Sequence, residues 1–453
     1  PIIYFPRFFH PDPTVKRQSG FLMPQIIDSS SLGLSFKLPY YKVISDNKDL
    51  TFTPRIFSEN EALFQNEYRQ VNENSKHIVD FSLKEKNSTS KTHFFSNSLT
   101  KLNMDMFDVS EIELNLETTS DQDYLKTHNI KSKINNNQSL LKSFLIFRGN
   151  SRDMDLETKI EAYEDLTVDK SSDKYEYIFP SYKFSKRLPS SFNGNYEIIS
   201  SGNIKNYDTN IYEKVLINDL KFSSNPKITP LGFVNKFNIL LKNITSEGDN
   251  STNYKNKFSS ENYGSIFYDM SYPLKKNGKF FDNFFTAKGS LMYSPNANKD
   301  LKKLDRKIDI NNIFTQNRLS LDDSVEGGRS LTLGGEYILK GKDSENDIIK
   351  AGLATVLRDD EEVNLPTKST LNNKSSDFIG SILFEPNNNL KFDYNFSVDS
   401  DFESSNYNLL KTDISVNKFV TSFEFLQEDD EVGSESYLTN ETAYNFSDAY
   451  SLR

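Results

Sequence analysis

The chain has 453 residues, with 54 Lys plus Arg against 64 Asp plus Glu for a net charge of −10, and it contains no Cys. Disulfides, Cys-ligated zinc, iron–sulfur clusters and a thiol nucleophile are therefore excluded within these residues. The acidic balance argues against a nucleic-acid binder, which would carry a basic footprint.

Hydrophobic content is only 36%, yet there are 36 Phe and 23 Tyr, unlike disordered chains, which are poor in aromatics. His10, His77, His93 and His128 are scattered and leave little for a His-based metal centre. No segment approaches the ~18 consecutive apolar residues of a transmembrane helix. The chain opens at Pro1 with no visible signal peptide and stops at Arg453. We read it as a piece of a longer protein.

In chain order, apolar residues recur with period two, the signal of half-buried strands. Such runs lie near 32–43, 49–57, 62–71, 76–84, 93–102, 111–117, 142–148, 155–163 and 175–184. They resume near 233–241, 264–274, 283–293, 331–337, 347–357, 378–385, 391–399, 407–416, 419–426 and 437–446. Turn clusters such as Ser45-Asp46-Asn47-Lys48 and Pro386-Asn387-Asn388-Asn389 separate them, as hairpins require. Helical periodicity is missing except for one short turn within Asp121–Ile130. The expectation is an all-β chain of roughly 20 antiparallel strands.

Two architectures fit. In a soluble sandwich the apolar set faces a shared core; in an outer-membrane barrel it faces lipid, with the polar set inward. Heavily charged polar faces and long polar loops at 243–262, 296–312 and 359–376 favour the barrel. Loops of that length are unusual in compact domains. The barrel reading puts Ile112, Leu114, Leu116, Phe392, Tyr394 and Phe396 outward, and Glu113, Asn115, Asp393 and Asn395 inward.

The opening residues carry a further pattern. Pro1-Ile2-Ile3-Tyr4-Phe5-Pro6 is followed by Lys16-Arg17-Gln18-Ser19-Gly20-Phe21-Leu22-Met23-Pro24, then Leu38-Pro39-Tyr40-Tyr41 and Leu50-Thr51-Phe52-Thr53-Pro54-Arg55. Farther on come Asn317-Arg318-Leu319-Ser320 and Asp323, Glu326, Gly327 and Gly328. Together these resemble the outer-membrane LPS-assembly family LptD, also called organic solvent tolerance proteins. Leu319, Leu321 and Ser324 depart from the usual Phe, Gly and Arg of that mid-chain segment, and Tyr450 stands where Trp is common near the end.

The resemblance implies the end of a periplasmic jelly roll and a lead-in over 1–30, and a partial transmembrane β-barrel over 31–453. It implies assembly of lipopolysaccharide (LPS) into the outer leaflet of a Gram-negative outer membrane, by lateral release through a barrel seam. The implied partners are a lipoprotein, LptE, in the lumen, a periplasmic LptA bridge reached through the jelly roll, and outer-membrane lipids. No cofactor and no enzymatic chemistry are implied. A porin-like passive transporter is the alternative, and it needs no weakened seam.

Pro39 and Pro54 sit inside apparent strands, where proline removes a ladder donor. The plain reading is two edge or bulge prolines. The resemblance makes them the lateral gate, with the ladder that each one interrupts left open. Lys37 and Arg55 fall on the polar parity beside them; they are either ordinary solvated charges or contacts for the lipid's phosphates. The acidic runs Asp359–Glu362 and Glu428–Glu431 read as solvated loops. The pairs Gly327-Gly328 and Gly334-Gly335 lack the strand–loop–helix context of a phosphate cradle. No Ser/His/Asp set stands out by spacing.

Overall fold

The computed structural model describes residues 17–29, 32–58, 61–86, 89–169, 173–189, 193–208, 210–342, 347–429, 434–447 and 450–452. The chain is built of antiparallel strands with almost no helix. No helix among the described residues is long and apolar enough to cross a membrane.

The strands run β1 (Gly20–Phe21), β2 (Gln25–Ser29), β3 (Gly33–Lys37), β4 (Tyr40–Ser45), β5 (Lys48–Phe57), β6 (Ala62–Val71), β7 (Ser75–Lys86) and β8 (Thr89–Leu102). Next come β9 (Val109–Thr119), the short helix α1 (Tyr124–Thr127), β10 (Leu140–Asn150), β11 (Met154–Asp165) and β12 (Tyr175–Leu188). The middle of the chain holds β13 (Gly194–Tyr207), β14 (Ile211–Ser224), β15 (Lys227–Ile228), β16 (Val234–Asp249) and β17 (Ser259–Asn277). Then follow β18 (Phe281–Ser294), β19 (Gly328–Gly341), β20 (Asp347–Arg358), β21 (Phe378–Asn387) and β22 (Leu390–Val398). The last are β23 (Ser405–Val416), β24 (Phe419–Glu428), β25 (Glu435–Ser447) and β26 (Tyr450–Leu452). Several are only two or three residues long, which accounts for the excess over the roughly 20 expected from alternation.

Contacts divide the chain into two compact units. In the first, β5 to β12 pair in chain order as a meander. In the second, β17 to β26 do the same.

The faces of these strands are inverted relative to a soluble sheet. Along β9, Leu114 and Leu116 are 37% and 42% exposed, while Asn115 and Glu117 between them are 4% and 9% exposed. In β18, Leu291 and Tyr293 are exposed, whereas Ser290 and Ser294 are buried. Leaving a large apolar side chain in water forgoes about 1.5–3 kcal/mol, and here the exposed ones recur on strand after strand. Ile112 and Glu113 are half-buried, as are Phe392 to Phe396, so β22 does not separate its two faces. There the Tyr394 hydroxyl donates to Asn408 and the Asn395 amide to Asp393, giving both parities polar partners.

The apolar cores lie where connecting segments fold onto the polar face. In the first unit, Tyr124, Leu125 and Ile130 from segment 120–139 pack with Phe57, Leu63 and Phe95. In the second, Leu301, Ile313, Leu319 and Leu365 pack with Val356 and Ile379. Two sequence expectations need correcting here. Segments 296–312 and 359–376 are not simply polar loops, because Leu301, Ile308, Leu365 and Leu371 are buried, while Leu304 and Val363 stay exposed. The supposed loop at 243–262 is mostly strand, with β16 running to Asp249 and β17 starting at Ser259.

Candidate functional site

The first unit begins with an edge. β1 pairs with β4, and β2 with β3, so residues 20–29 form one interrupted strand beside residues 33–45. Among the described residues no other strand pairs with β1 or β2. The paired strands thus begin upstream of residue 31, within the stretch read from sequence as the lead-in.

β3 and β4 are likewise one strand broken at Leu38-Pro39. Both pair with β5 in a single register, from Lys37↔Arg55 to Tyr40↔Phe52. That register sets Leu38 opposite Pro54, and the Leu38 N–H donates to the Pro54 carbonyl at 3.2 Å. In such a pair the second bond would return from residue 54 to the Leu38 carbonyl, but proline has no N–H to give. On the other side, the Leu22 N–H donates to the Pro39 carbonyl at 2.8 Å, and Pro39 likewise returns nothing. Pro54 therefore deletes a donor from the β3/β4–β5 ladder, and Pro39 deletes one from the ladder to the edge strand. The two prolines act on adjacent ladders one residue apart in register.

A third proline was missed from sequence. Pro24 lies in the break between β1 and β2, where the register slips by one residue between Phe21↔Tyr40 and Gln25↔Lys37. Its signal was present: Pro24, Pro39 and Pro54 are evenly spaced in the chain, one on each of three neighbouring strand paths.

The described part of the opening motif pins this edge. Arg17 ion-pairs with Asp49, and the Ser19 hydroxyl accepts from the Val43 N–H at 2.8 Å. Phe21 stacks edge-on against Tyr40, with ring centroids 5.0 Å apart. Pro1–Lys16 lie outside the described residues, as do Asp430 and Glu431 of the second acidic run.

Lys37 and Arg55 face each other across β3 and β5. The Arg55 guanidinium is buried and donates to the Ser35 hydroxyl at 3.0 Å and to the His128 carbonyl at 2.8 Å. It also lies over the Phe57 ring, 4.7 Å from the centroid. Ser35 in turn donates to the Ile27 carbonyl on the edge strand. Arg55 thus links the edge, through Ser35, to segment 120–139. Among the described residues neither Lys37 nor Arg55 has a carboxylate within ion-pair distance, and Lys131 adds a third positive charge nearby.

Sequence spacing gave no Ser/His/Asp set, yet the fold builds one. Lys86↔Thr89 pairing carries through to Ser82↔His93. The Ser82 hydroxyl lies 2.6 Å from His93 Nδ1, and His93 Nε2 lies 3.2 Å from Asp80. All three are at most 2% exposed, and the Tyr124 hydroxyl sits 2.7 Å from Ser82. With no access for a substrate, the set acts as a polar knot that fastens α1. Burial pushes the Tyr124 hydroxyl up to about 12.

Residues 93–450 match the family described as LptD, LPS transport system D. The chain belongs to the LptD family. LPS-assembly protein LptD of Pseudoalteromonas atlantica (strain T6c / ATCC BAA-1087) is 33% identical over 93 residues, 20% of this chain and 12% of that protein. LptD of Coxiella burnetii (strain RSA 493 / Nine Mile phase I) is 41% identical over 79 residues, 17% of this chain and 9% of that protein. LptD of Yersinia enterocolitica serotype O:8 / biotype 1B (strain NCTC 13174 / 8081) is 45% identical over 56 residues, 12% and 7% respectively. The matched stretches thus span only about a tenth of these relatives' own lengths.

The mid-chain motif that resembled the LptD family forms a clasp in the second unit. Arg318 donates through Nε to Glu326 at 2.7 Å and through a terminal nitrogen to the same carboxylate. Arg358 on β20 also binds Glu326, and it donates to the Gly327 carbonyl. Burial pushes the Glu326 carboxyl up, but the two guanidinium groups outweigh it and hold the carboxyl below its usual range. Gly328 has φ +87°, a conformation that favours glycine. A Cβ on Gly327 would lie 2.1 Å from the Asn296 carbonyl oxygen. The glycine pair serves close packing, in keeping with its rejection as a phosphate cradle.

Proposed function

We propose that this chain is the barrel portion of an LPS-assembly protein in the Gram-negative outer membrane, releasing LPS laterally at the edge formed by residues 20–29. The observation that carries this reading is the triple proline interruption: the paired strands are weakest at the strand that would have to part. A fully paired barrel has no edge and cannot open into lipid. The inverted faces support a lipid-facing exterior and a polar interior, the arrangement of outer-membrane barrels. In this reading the sugars pass along the polar face while the acyl chains stay on the apolar side. Lys37 and Arg55, which have no carboxylate within ion-pair distance among the described residues, would meet the lipid's phosphates in this reading. The lipoprotein LptE would occupy the interior, and LPS would arrive from an LptA bridge through a jelly roll preceding the barrel.

The test uses the complete protein with a photo-crosslinking residue at Ile26 on the edge, and a control at Leu291 on β18. LPS adducts at Ile26 and none at Leu291 are expected; equal adducts at both, or none at either, would remove lateral release here. A second arm replaces Pro24, Pro39 and Pro54 by Ala. Each restored amide can add about 0.5–1.5 kcal/mol of net hydrogen bonding. Opening should then fall by about one to three decades at ~1.4 kcal/mol per decade, with less LPS at the surface for the same amount of protein. Solute flux along the axis that is indifferent to these prolines would favour the porin-like alternative.

A further inference from the structure

Segment 120–139 lies across the polar side of β5, which bears Pro54, and of the neighbouring β6 to β8, and the way it is held shows both attachment and weakness. Its apolar residues Tyr124, Leu125 and Ile130 are at most 6% exposed, and Leu32, at the start of the seam strand path, packs against the same cluster. Asn135 donates to Glu117 of β9 at 2.6 Å and Gln122 to Asp169 at 3.0 Å. Among the described residues four polar ties hold residues 121–133 to β6, β7 and β8: Tyr124 to Ser82 at 2.7 Å, the Lys131 carbonyl to Gln65 at 3.0 Å, Asp121 to Lys91 at 2.7 Å, and Lys133 to Glu67 at 3.0 Å. The fifth tie is Arg55 to the His128 carbonyl.

Two features set that fifth tie apart. Arg55 is a buried cation held only by neutral acceptors, a hydroxyl and a carbonyl. An anionic acceptor makes stronger, charge-assisted bonds and matches the guanidinium fork bidentately. His128, 3% exposed, keeps Nδ1 buried without a hydrogen-bond partner. A buried unsatisfied polar group carries a desolvation cost, so the seated segment is held at a penalty that its release would recover.

We propose that segment 120–139 is a displaceable strap over the polar side of the seam, released when a phosphate group takes Arg55 from the His128 carbonyl. The inference rests on the lateral-release reading and adds its regulation: the phosphorylated lipid itself clears the strap. Lys37, directly opposite Arg55 on β3, supplies further positive charge for a phosphomonoester. Because Arg55 also holds Ser35, whose hydroxyl binds Ile27 of the edge strand, the same event loosens the tie between edge and strap.

The test uses the complete protein with its lipoprotein partner in lipid nanodiscs, carrying Glu67→Cys and Lys133→Cys. These sites touch across strap and strand, lie outside the cation cluster, and would be the only cysteines among the 453 residues. A short bifunctional maleimide reports how often the strap is seated. Diphosphorylated lipid A should lower cross-linking by about tenfold, the scale of exchanging one strong charge-assisted bond. Dephosphorylated lipid A should leave it unchanged, and inorganic phosphate at millimolar concentration distinguishes a free anion from a lipid headgroup as the trigger. With Arg55→Gln the lipid response should vanish. Amide hydrogen exchange over 120–139 in otherwise wild-type protein gives a second readout that does not depend on the engineered pair. Cross-linking and exchange that ignore phosphorylated lipid, while LPS adducts still form at Ile26, would overturn the strap and leave lateral release standing. Loss of both would trace the failure to the underlying reading.

Discussion

The two ends of the strand-pairing scale in this molecule are the edge at residues 20–57 and the hairpins of β18 and β19. Between β18 and β19 the register runs without a break from Phe281↔Gly341 to Ser294↔Gly328. At the edge, β1 and β4 share only Gly20↔Tyr41 and Phe21↔Tyr40, and β3 meets β5 over three residues before the proline gap. The two regions use the same alternation and the same residue types. What differs is the supply of backbone donors, and it teaches that a sheet can be weakened locally without changing its side-chain pattern. Segments folded on the polar face follow the same division: the second-unit clasp is locked at its centre by paired charges, whereas the first-unit strap, although ion-paired through Asp121 and Lys133, meets the proline-bearing β5 through a cation bound to a neutral carbonyl.

Breaking the locked side should give the largest effect. Glu326→Gln leaves Arg318 buried without its counter-charge and Arg358 with only the longer contact to Glu362 at 4.0 Å, a change that typically costs ~3–5 kcal/mol. Protease cleavage within 295–327 should rise steeply, while the same assay on segment 120–139 should not respond. Equal sensitivity in both segments would mean that the clasp is not local.

The faces come next. Leu116→Arg should cost ~2–4 kcal/mol if that position lies at the bilayer midplane, and less near an interface. Its neighbour Asn115 instead bonds Glu117 and the Lys142 carbonyl, so Asn115→Leu should cost on the scale of those lost bonds, about 1–3 kcal/mol. Folding titrations in bilayers that gave Leu116→Arg no cost at any lipid thickness would reverse the assignment of faces.

A proline moved to the strong side sharpens the contrast. Thr286→Pro in β18, paired on both sides with Pro273 and Glu336, should destabilise by about 3 kcal/mol, the scale of a proline inside a regular element. Restoring Ala at Pro54 should stabilise by only ~0.5–1.5 kcal/mol. Comparable, opposite changes measured by urea titration would erase the distinction between the two regions.

A further expected effect is on pH. Burial first, then Lys84 and Arg55, lowers the His128 pKa from its ordinary 6.5 to about 4. Glu61 opposes the shift, and Lys91 adds to it. A seated strap therefore holds His128 neutral, while a released one lets it protonate near its ordinary value. Seating is at full strength above about pH 6.5 and weakens as pH falls toward 4, by at most ~1.4 kcal/mol per pH unit. Cross-linking between positions 67 and 133 should decline over that window in wild-type background and less so with His128→Gln. A decline on raising the pH instead would contradict the burial of a neutral imidazole.

Strand existence was legible because alternation is a backbone property: side chains point to opposite faces at every step. The polar parity read for Arg55 matches its burial beside the exposed Ile56. What could not be read was anything that depends on pairing across distance. Which ladder Pro39 and Pro54 interrupt follows only from Leu22 and Leu38 as their partners. Ser82 meets His93 because a hairpin register carries them together, and Tyr124 reaches them from 42 residues away in sequence. The loop cores escaped because Leu301, Ile313 and Leu365 are isolated apolar residues in polar surroundings, with no period to reveal them.

The one-residue slip at Met23-Pro24 has a consequence for how the chain is spelled. Phe21 and Ile26 are an odd number of residues apart, so in an unbroken strand they would point to opposite faces. Here both are turned outward, 71% and 75% exposed, opposite Tyr40 and Phe36 on one parity. The irregularity acts as a phase shift between two reading frames of the same strand. Deleting Met23 would straighten the edge and leave Phe21 and Ile26 an even number of residues apart, both still outward, whereas straightening the strand without that deletion would turn one of them onto the polar face, since a single-residue slip turns over every side chain beyond it.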